Sequence, residues 1–346
     1  MSELGNIIED MIQRLLVDSV DHTLLERSEG GGWEGDLWSK LEENGLPIML
    51  AEPKEKGGEF GWREAYLVAM AAGRHALPLP LPEAIAAGWL LALSGIVAPE
   101  GRLGLAAGDG LVVEGDTAHG RLPRVAWGRH LTHVVATTCD QVVLIPVEGC
   151  AVVPGDNLAG EPRDDLVFDG VEVLSAPCPP GFGTETSRQL GALLRSAQMA
   201  GAIATLLERS LAYAGERQQF GKLIGGFQAV QHMMAVLAEE SAAAAMAAEQ
   251  AFAALDLGRD KDFAIAAAKV RTGEAAGRAA SIAHQVLGAM GFAREHPLHF
   301  ASRRLWSWRA EFGSEAEWAE RIADMVIPMG GDGLWAFVTA AQADPM

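Results

Sequence analysis

The sequence predicts a mainly α-helical protein with a small β domain at its centre. A helical N-terminal domain is expected over residues 1–99, a reduced β domain over 100–180 and a helical bundle over 181–346. Three observations predict this. Apolar residues recur at helical spacing at both ends of the chain, with alanine- and leucine-rich tracts after residue 187. Between about 100 and 178 the texture changes to short Val-, Leu- and Thr-rich runs broken by Gly, Asp and Pro. The composition is globular, at 49% apolar and 21% charged residues, with no fixed-period repeat and no low-complexity tail.

Taken in order, residues 3–16 repeat apolar positions every three or four residues, and 36–45 form a short helix closed by Asn44-Gly45, a good C-cap pair. Residues 61–76 continue the helical pattern until LPLPLPEA at 77–84 stops it, because proline cannot continue a helix. The next helix begins after Pro82. LVVEGD, THVVATT, QVVLIPV, CAVVPG and LVFDGVEVL then read as an antiparallel β domain. Three long helices follow, at 187–214, 227–256 and about 262–288, with LDLGRDKD at 255–262 as a turn. Alanine-rich helices of this kind pack closely, as in an antiparallel four-helix bundle.

The formal net charge of −19 argues against a nucleic-acid or anionic-membrane partner, though a local basic pocket can still hold an anionic ligand. Cys139, Cys150 and Cys178 lack metal-ligand spacing. An odd, sparse count with no secretory leader suggests free thiols in a reducing, cytoplasmic setting. The apolar stretches at 84–98 and 240–256 are too short or too interrupted to span a bilayer. His284, His296 and His299 do not match a zinc motif, so no metal is expected.

One segment stands out from the bundle tracts: GERQQFGKLIGGFQAVQH at 215–232. Its glycines allow a turn and close backbone approach. Arg217 offers a fork of donors suited to phosphate, and Phe220 a flat face for an adenine ring. Gln228 and Gln231 lie near the start of the next helix, where backbone N–H groups favour an anion. On composition alone the segment also reads as a helix–turn–helix connection, its arginine capping carbonyls and its phenylalanine plugging the core.

Together with HQVLGAMGFAREHPLHFASRR at 284–304, LWSKLEENGLPIMLAEPKEKGGEFGWREAYLVAMAAGRHALPLPLPEA at 37–84 and LVFDGVEV at 167–174, this segment resembles the acyl-CoA dehydrogenase family. The likeness runs through nearly the whole chain in the same helix–sheet–helix order. It implies an N-terminal helical domain, a middle β-barrel, a C-terminal four-helix bundle and FAD-dependent α,β-desaturation of an acyl-CoA thioester. A carboxylate base would remove the α proton, and electrons would pass to an electron-transferring flavoprotein. It also implies that Arg217 and Phe220 clamp the ADP half of a neighbouring subunit's FAD. Gln285, Gly288 and Gly291 would touch the same half, with Ala289 in place of a family glycine; Gln228 is the further candidate contact.

The chain departs from the family in two places. The usual base position falls at Phe312, one residue after Glu311, and the alternative falls near Gly191, so neither is acidic. The middle domain lacks a counterpart of the loop that covers the flavin ring, and Trp127 sits in unmatched surroundings, as a core or barrel-edge residue would. These losses resemble the short, base-lacking subunit of heteromeric acyl-CoA dehydrogenases acting on steroid side chains, in which a longer subunit supplies the base. Three readings stay open: a clamp-supplying subunit of a homo-oligomer or of a heterotetramer with a longer partner, a self-sufficient enzyme with Glu311 as its base, and a scaffold that has lost FAD. For Glu311 the plain alternative is a solvated carboxylate at a helix end. Arg303, Arg304 and Arg309, with Trp306 and Trp308, face a CoA or subunit interface or else form core and rim.

Overall fold

The N-terminal pattern folds as five helices: α1 (Glu3–Ser19), α2 (His22–Ser28), α3 (Gly35–Glu43), α4 (Trp62–Arg74) and α5 (Leu81–Ser94). The computed structural model describes residues 3–52, 58–138, 140–258 and 261–340; Cys139 and part of the expected 255–262 turn lie outside these. Helix α5 starts at Leu81, not after Pro82. Pro80 caps it and Pro82 stands in the first turn, where a missing N–H costs nothing.

The middle region forms two four-stranded sheets. One has the order β1 (Leu103–Leu105), β4 (His133–Thr137), β5 (Gln141–Pro146) and β8 (Leu174–Pro177). The other has the order β2 (Leu111–Glu114), β3 (Thr117–Ala126), β7 (Arg163–Glu172) and β6 (Ala151–Val153). The pairing is not wholly antiparallel as expected, because β1 runs parallel to β4, with Leu103 opposite His133. A parallel pair needs a crossover, and β2 and β3 supply it in the facing sheet.

Strands β4 and β5 read as unbroken apolar runs because both their faces are covered. Val134, Ala136, Val143 and Ile145 join Leu122, Leu166 and Phe168 between the sheets. Val135, Val142 and Leu144 face the other way and join the helical core. Three helices follow, α6 (Thr186–Glu216), α7 (Gln228–Asp256) and α8 (Lys261–Leu287), and then α9 (Leu298–Trp308), α10 (Glu315–Val326) and α11 (Gly330–Ala340). The bundle consists of α6, α7, α8 and α10.

Helix α6 is long and apolar enough to cross a membrane, but 89% of its most apolar window is buried in this bundle. It touches α4 backbone to backbone. A Cβ at Gly73 would stand 1.9 Å from the Gln198 carbonyl oxygen, and one at Gly201 would stand 2.0 Å from that of Met70. Glycine on both helices is what allows this crossing.

Candidate functional site

At the α6–α7 corner the chain forms a β-hairpin, which the sequence reading missed. Two short strands, β9 (Gln218–Gln219) and β10 (Lys222–Leu223), pair antiparallel. Phe220 and Gly221 make the two-residue turn, with φ of +52° and +79°. Left-handed conformation at both central positions is the type I′ geometry that matches strand twist. Glycine suits it; phenylalanine adopts it at a cost.

Phe220 is nevertheless 92% exposed, so it does not plug the core. Its ring meets Phe227 edge-on at 6.2 Å, and the Lys222 ammonium lies 4.2 Å from the Phe227 centroid. Arg217 is exposed too. Its backbone N–H caps α6 through the Tyr213 carbonyl, but its guanidinium has no hydrogen bond or ion pair among the described residues. A helix-capping role for that side chain is therefore not what the structure shows.

Beside the hairpin lies an apolar groove of about 780 Å³, lined by Leu211, Ala214, Leu223, Val230 and Met234. Gln228 is exposed at the first position of α7, and the Gln231 amide donates to the Gly225 carbonyl at 3.1 Å. The second predicted cluster closes α8. Gln285 is exposed, Gly288 turns the chain with φ of +56°, and Gly291 is buried against His284 and Leu298. Since α7 and α8 are consecutive long helices, this cluster returns to the hairpin end of the bundle. Among the described residues no hydrogen bond or ring contact joins the two clusters. Gly225 and Gly226 close the short turn that leads into α7, and both line the groove.

The two expected base positions do come together. Phe312 packs its ring on Gly191, where a Cβ would stand 2.2 Å from the ring's Cδ1. The turn that carries Phe312 is firmly held. Buried Lys269 donates to the carbonyls of Arg309 at 2.7 Å and Gly313 at 2.8 Å, and Trp318 Nε1 donates to the Phe312 carbonyl at 3.0 Å. Burial pushes the Lys269 ammonium down to about 8. Ser314 then caps α10 in a capping box with Glu317.

Glu311 is neither a solvated helix-end carboxylate nor a free base. It is 8% exposed. Arg163 Nε donates to its Oε1 at 2.8 Å and Arg195 Nε to its Oε2 at 2.6 Å; Arg163 Nη2 and the Asn157 amide add bonds of 3.1 and 3.2 Å. Four donors occupy the acceptor sites that a carboxylate has. Burial alone would push the Glu311 carboxyl up, but the charges and hydrogen bonds of Arg163 and Arg195 hold it well below the usual carboxylate range.

This carboxylate is the centre of a longer buried ladder. Arg195 reaches Glu83 at 2.6 Å, Arg163 reaches Glu161 at 2.9 Å, and Arg304 reaches Glu161 at 3.0 Å. Trp308 Nε1 also donates to Glu161. Three carboxylates and three guanidiniums thus alternate with no net charge. They tie α5, α6, β7 and α9 together behind the Phe312 turn. A cavity of about 210 Å³ in front of that turn is lined by Asp109, Arg124, Arg188, Arg195, Glu311 and Phe312. Asp109 is an exposed residue at its edge.

Sequence reasoning missed the ladder. The signal was single charges inside apolar helices, as with Glu83 and Arg195. Of the arginine–tryptophan stripe, Arg304 and Trp308 are buried in the ladder, while Arg303 pairs with Glu29 and Arg309 with Glu315 at 2.5 Å. Trp127, with φ of +57°, is buried beside Trp33 and His130. No group of three or more potential metal ligands occurs among the described residues.

Residues 186–327 match the model of the acyl-CoA dehydrogenase C-terminal domain. The chain is 31% identical over 297 residues to the acyl-CoA dehydrogenase FadE34 of Mycobacterium tuberculosis, covering 79% of this chain and 40% of that protein. It is 30% identical to the acyl-CoA dehydrogenase IpdE2 of the same organism, covering 79% of this chain and 81% of that one. Of the first two curated relatives it matches, the chain spans 34% and 40% of the length. The fold superposes on a chain of the ChsE4-ChsE5 complex from M. tuberculosis with a TM-score of 0.80 at 21% identity, covering 94% of this chain and 98% of that one. The similarity to IpdE2 extends over most of both proteins, and the chain belongs to the acyl-CoA dehydrogenase family.

Proposed function

We propose that this chain is a flavoprotein subunit of an acyl-CoA dehydrogenase, supplying the ADP clamp for FAD at a subunit boundary while a longer partner chain supplies the base. The observation that carries this reading is the pair Phe312–Gly191. The two positions where the family places its carboxylate meet in space, and a phenyl ring fills the seat. The neighbouring carboxylate, Glu311, is saturated by donors and has no free acceptor with which to take a proton.

The residues at the hairpin fit the nucleotide half of FAD. Arg217 offers an exposed guanidinium, unpaired among the described residues and suited to a pyrophosphate. Phe220 presents a bare aromatic face beyond the body of the chain. Gln228 and Gln285 add amides and Gly288 adds open backbone at the same end of the bundle, where buried Gly291 lets the chain pack closely on His284 and Leu298. When bound, FAD would supply the hydride acceptor. The protein's part here is to grip the cofactor's tail and to order the interface. An acyl-CoA thioester is the substrate class of this reading, a bulky acyl group fits the likeness to short heteromeric subunits, and electron-transferring flavoprotein is the onward acceptor.

The test is to purify the chain alone and then co-expressed with a longer acyl-CoA dehydrogenase chain encoded beside it. Flavin absorbance, complex mass and acyl-CoA oxidation are measured for both. The expected result is a mixed, flavin-containing, active complex and an inactive isolated chain. Robust turnover by the isolated chain would overturn the division of labour. A colourless mixed complex would overturn the clamp.

A further inference from the structure

A second cavity, of about 200 Å³, lies away from both the hairpin and the Phe312 turn. It is enclosed by the entry to α2, the end of α4, the middle of α6 and the start of α9. Val20, Leu25, Ala76 and Phe300, with Pro297 and Ala301, give it an apolar wall, and the remaining wall is polar.

Most of those polar groups are already engaged. Arg74 pairs with Glu208. The Asp21 carboxylate accepts the Leu24 N–H as the α2 cap, at 2.7 Å. Thr205 donates its hydroxyl to the Arg74 carbonyl at 2.7 Å. His75 Nε2 lies 2.7 Å from the Gln13 amide oxygen, and His22 lies 3.6 Å from Glu26. Arg209 is the exception. Its half-buried guanidinium lines the cavity and has no side-chain hydrogen bond or ion pair among the described residues. A guanidinium stays charged when buried, so it calls for an oxygen acceptor. The charge it feels most is Glu208, which Arg74 already holds.

We infer that this cavity is a binding site for a short-chain carboxylate, with the carboxylate on Arg209 and the alkyl end against Val20, Leu25 and Phe300. An anion is called for because, among the described residues, Arg209 makes no ion pair and its neighbour Glu208 is held by Arg74. A carboxylate fits better than phosphate for two reasons. The apolar wall offers nothing to a strongly hydrated dianion, and Asp21 on the rim repels a second negative charge more than a single one. At about 30 Å³ per water the cavity equals roughly seven waters, room for an acid of about four or five carbons.

Titration calorimetry of the full chain at constant chloride tests this, with butyrate as the probe and inorganic phosphate as its comparison. Butyrate is expected to bind with a Kd of a few millimolar or tighter, and Arg209→Gln to weaken it at least tenfold, about 1.4 kcal/mol. Arg209→Lys should keep part of the affinity. Val20→Phe, which fills the apolar end and leaves the charge, should abolish binding and stands in if the Arg209→Gln chain does not fold. Phosphate binding as tightly as butyrate, unchanged butyrate binding in Arg209→Gln or Val20→Phe, or no heat up to about 20 mM butyrate overturns the site.

Discussion

Two Phe-Gly turns in this chain share a backbone conformation and have opposite fates. Phe220-Gly221 has φ of +52° and +79°, and Phe312-Gly313 has φ of +57° and +104°. Both place an aromatic residue in the left-handed region that phenylalanine seldom enters. Phe220 is thrown 92% into solvent at the tip of a hairpin. Phe312 is folded onto a glycine, in a turn pinned by a buried lysine and a tryptophan. Strain persists only where surroundings enforce it. At Phe312 the surroundings are internal and visible. At Phe220 the hairpin fixes the backbone, and among the described residues the ring meets only the edge of Phe227, so the rest of the ring stands free for a ligand of the kind proposed.

The sharpest break of this comparison is Glu311→Gln, one residue before the internal turn. Arg163 and Arg195 would lose the charge they share, inside a core where each is under 5% exposed. Removing one member of a buried ion pair costs about 3–5 kcal/mol. Denaturant unfolding should show that loss in the chain alone and in any complex. The carboxylate's contribution is present above its unfolded pKa and is lost as pH falls through its lower folded value, so the gap between wild type and variant should close in acid. If Glu311 were the base, activity would vanish with stability intact.

Phe312→Ala comes next. The half-buried ring leaves a gap over Gly191, and about 2 kcal/mol of stability should go with it, below the 3–5 typical of a fully buried phenylalanine. Phe220→Ala at the other turn should leave unfolding unchanged to within about 0.5 kcal/mol. Phe220→Ala and Arg217→Ala should instead each weaken FAD retention about tenfold, near 1.4 kcal/mol. Equal stability losses at the two phenylalanines would erase the contrast. Unchanged flavin content in both hairpin variants would remove the clamp.

The sequence made the architecture legible because helical and strand periods are strong and separate in this chain. The long bundle helices lie within a residue or two of their expected bounds, their ends marked by Gly, Pro and the change to polar residues. The 218–223 hairpin was not legible. Two-residue strands leave no period, and the usual Asn-Gly signal of a type I′ turn is replaced by Phe-Gly. The parallel β1–β4 pair was hidden for a different reason, since pairing partners across a crossover share no local pattern. At the site, the convergence of Gly191 and Phe312 was implicit in the two family positions. The ladder was not, because Glu83, Glu161, Arg195 and Glu311 are far apart in the chain, and a charge in a local window looks solvated until its partner arrives from another element.

The last expected effect, read as a slope with pH, concerns a histidine on the wall of the second cavity. Burial, with help from Arg74 and Arg209, pushes the His75 imidazole down to about 4, against 6.5 unfolded. The neutral ring is therefore the folded form at neutral pH, and the unfolded chain binds the extra proton between those two values. The sign follows: His75 costs the fold nothing above pH 6.5, and stability falls as pH drops from about 6.5 towards about 4. The chain's carboxylates titrate at the acid end of this window, so the measurement has to be a difference. Urea unfolding of wild type and His75→Gln across that range isolates the histidine, since glutamine keeps a donor for Gln13 and removes the titration. The wild-type curve should fall more steeply than that of the variant between pH 6.5 and 5, where carboxylates contribute least. Parallel curves there would mean that the ring is solvated enough to keep its ordinary pKa.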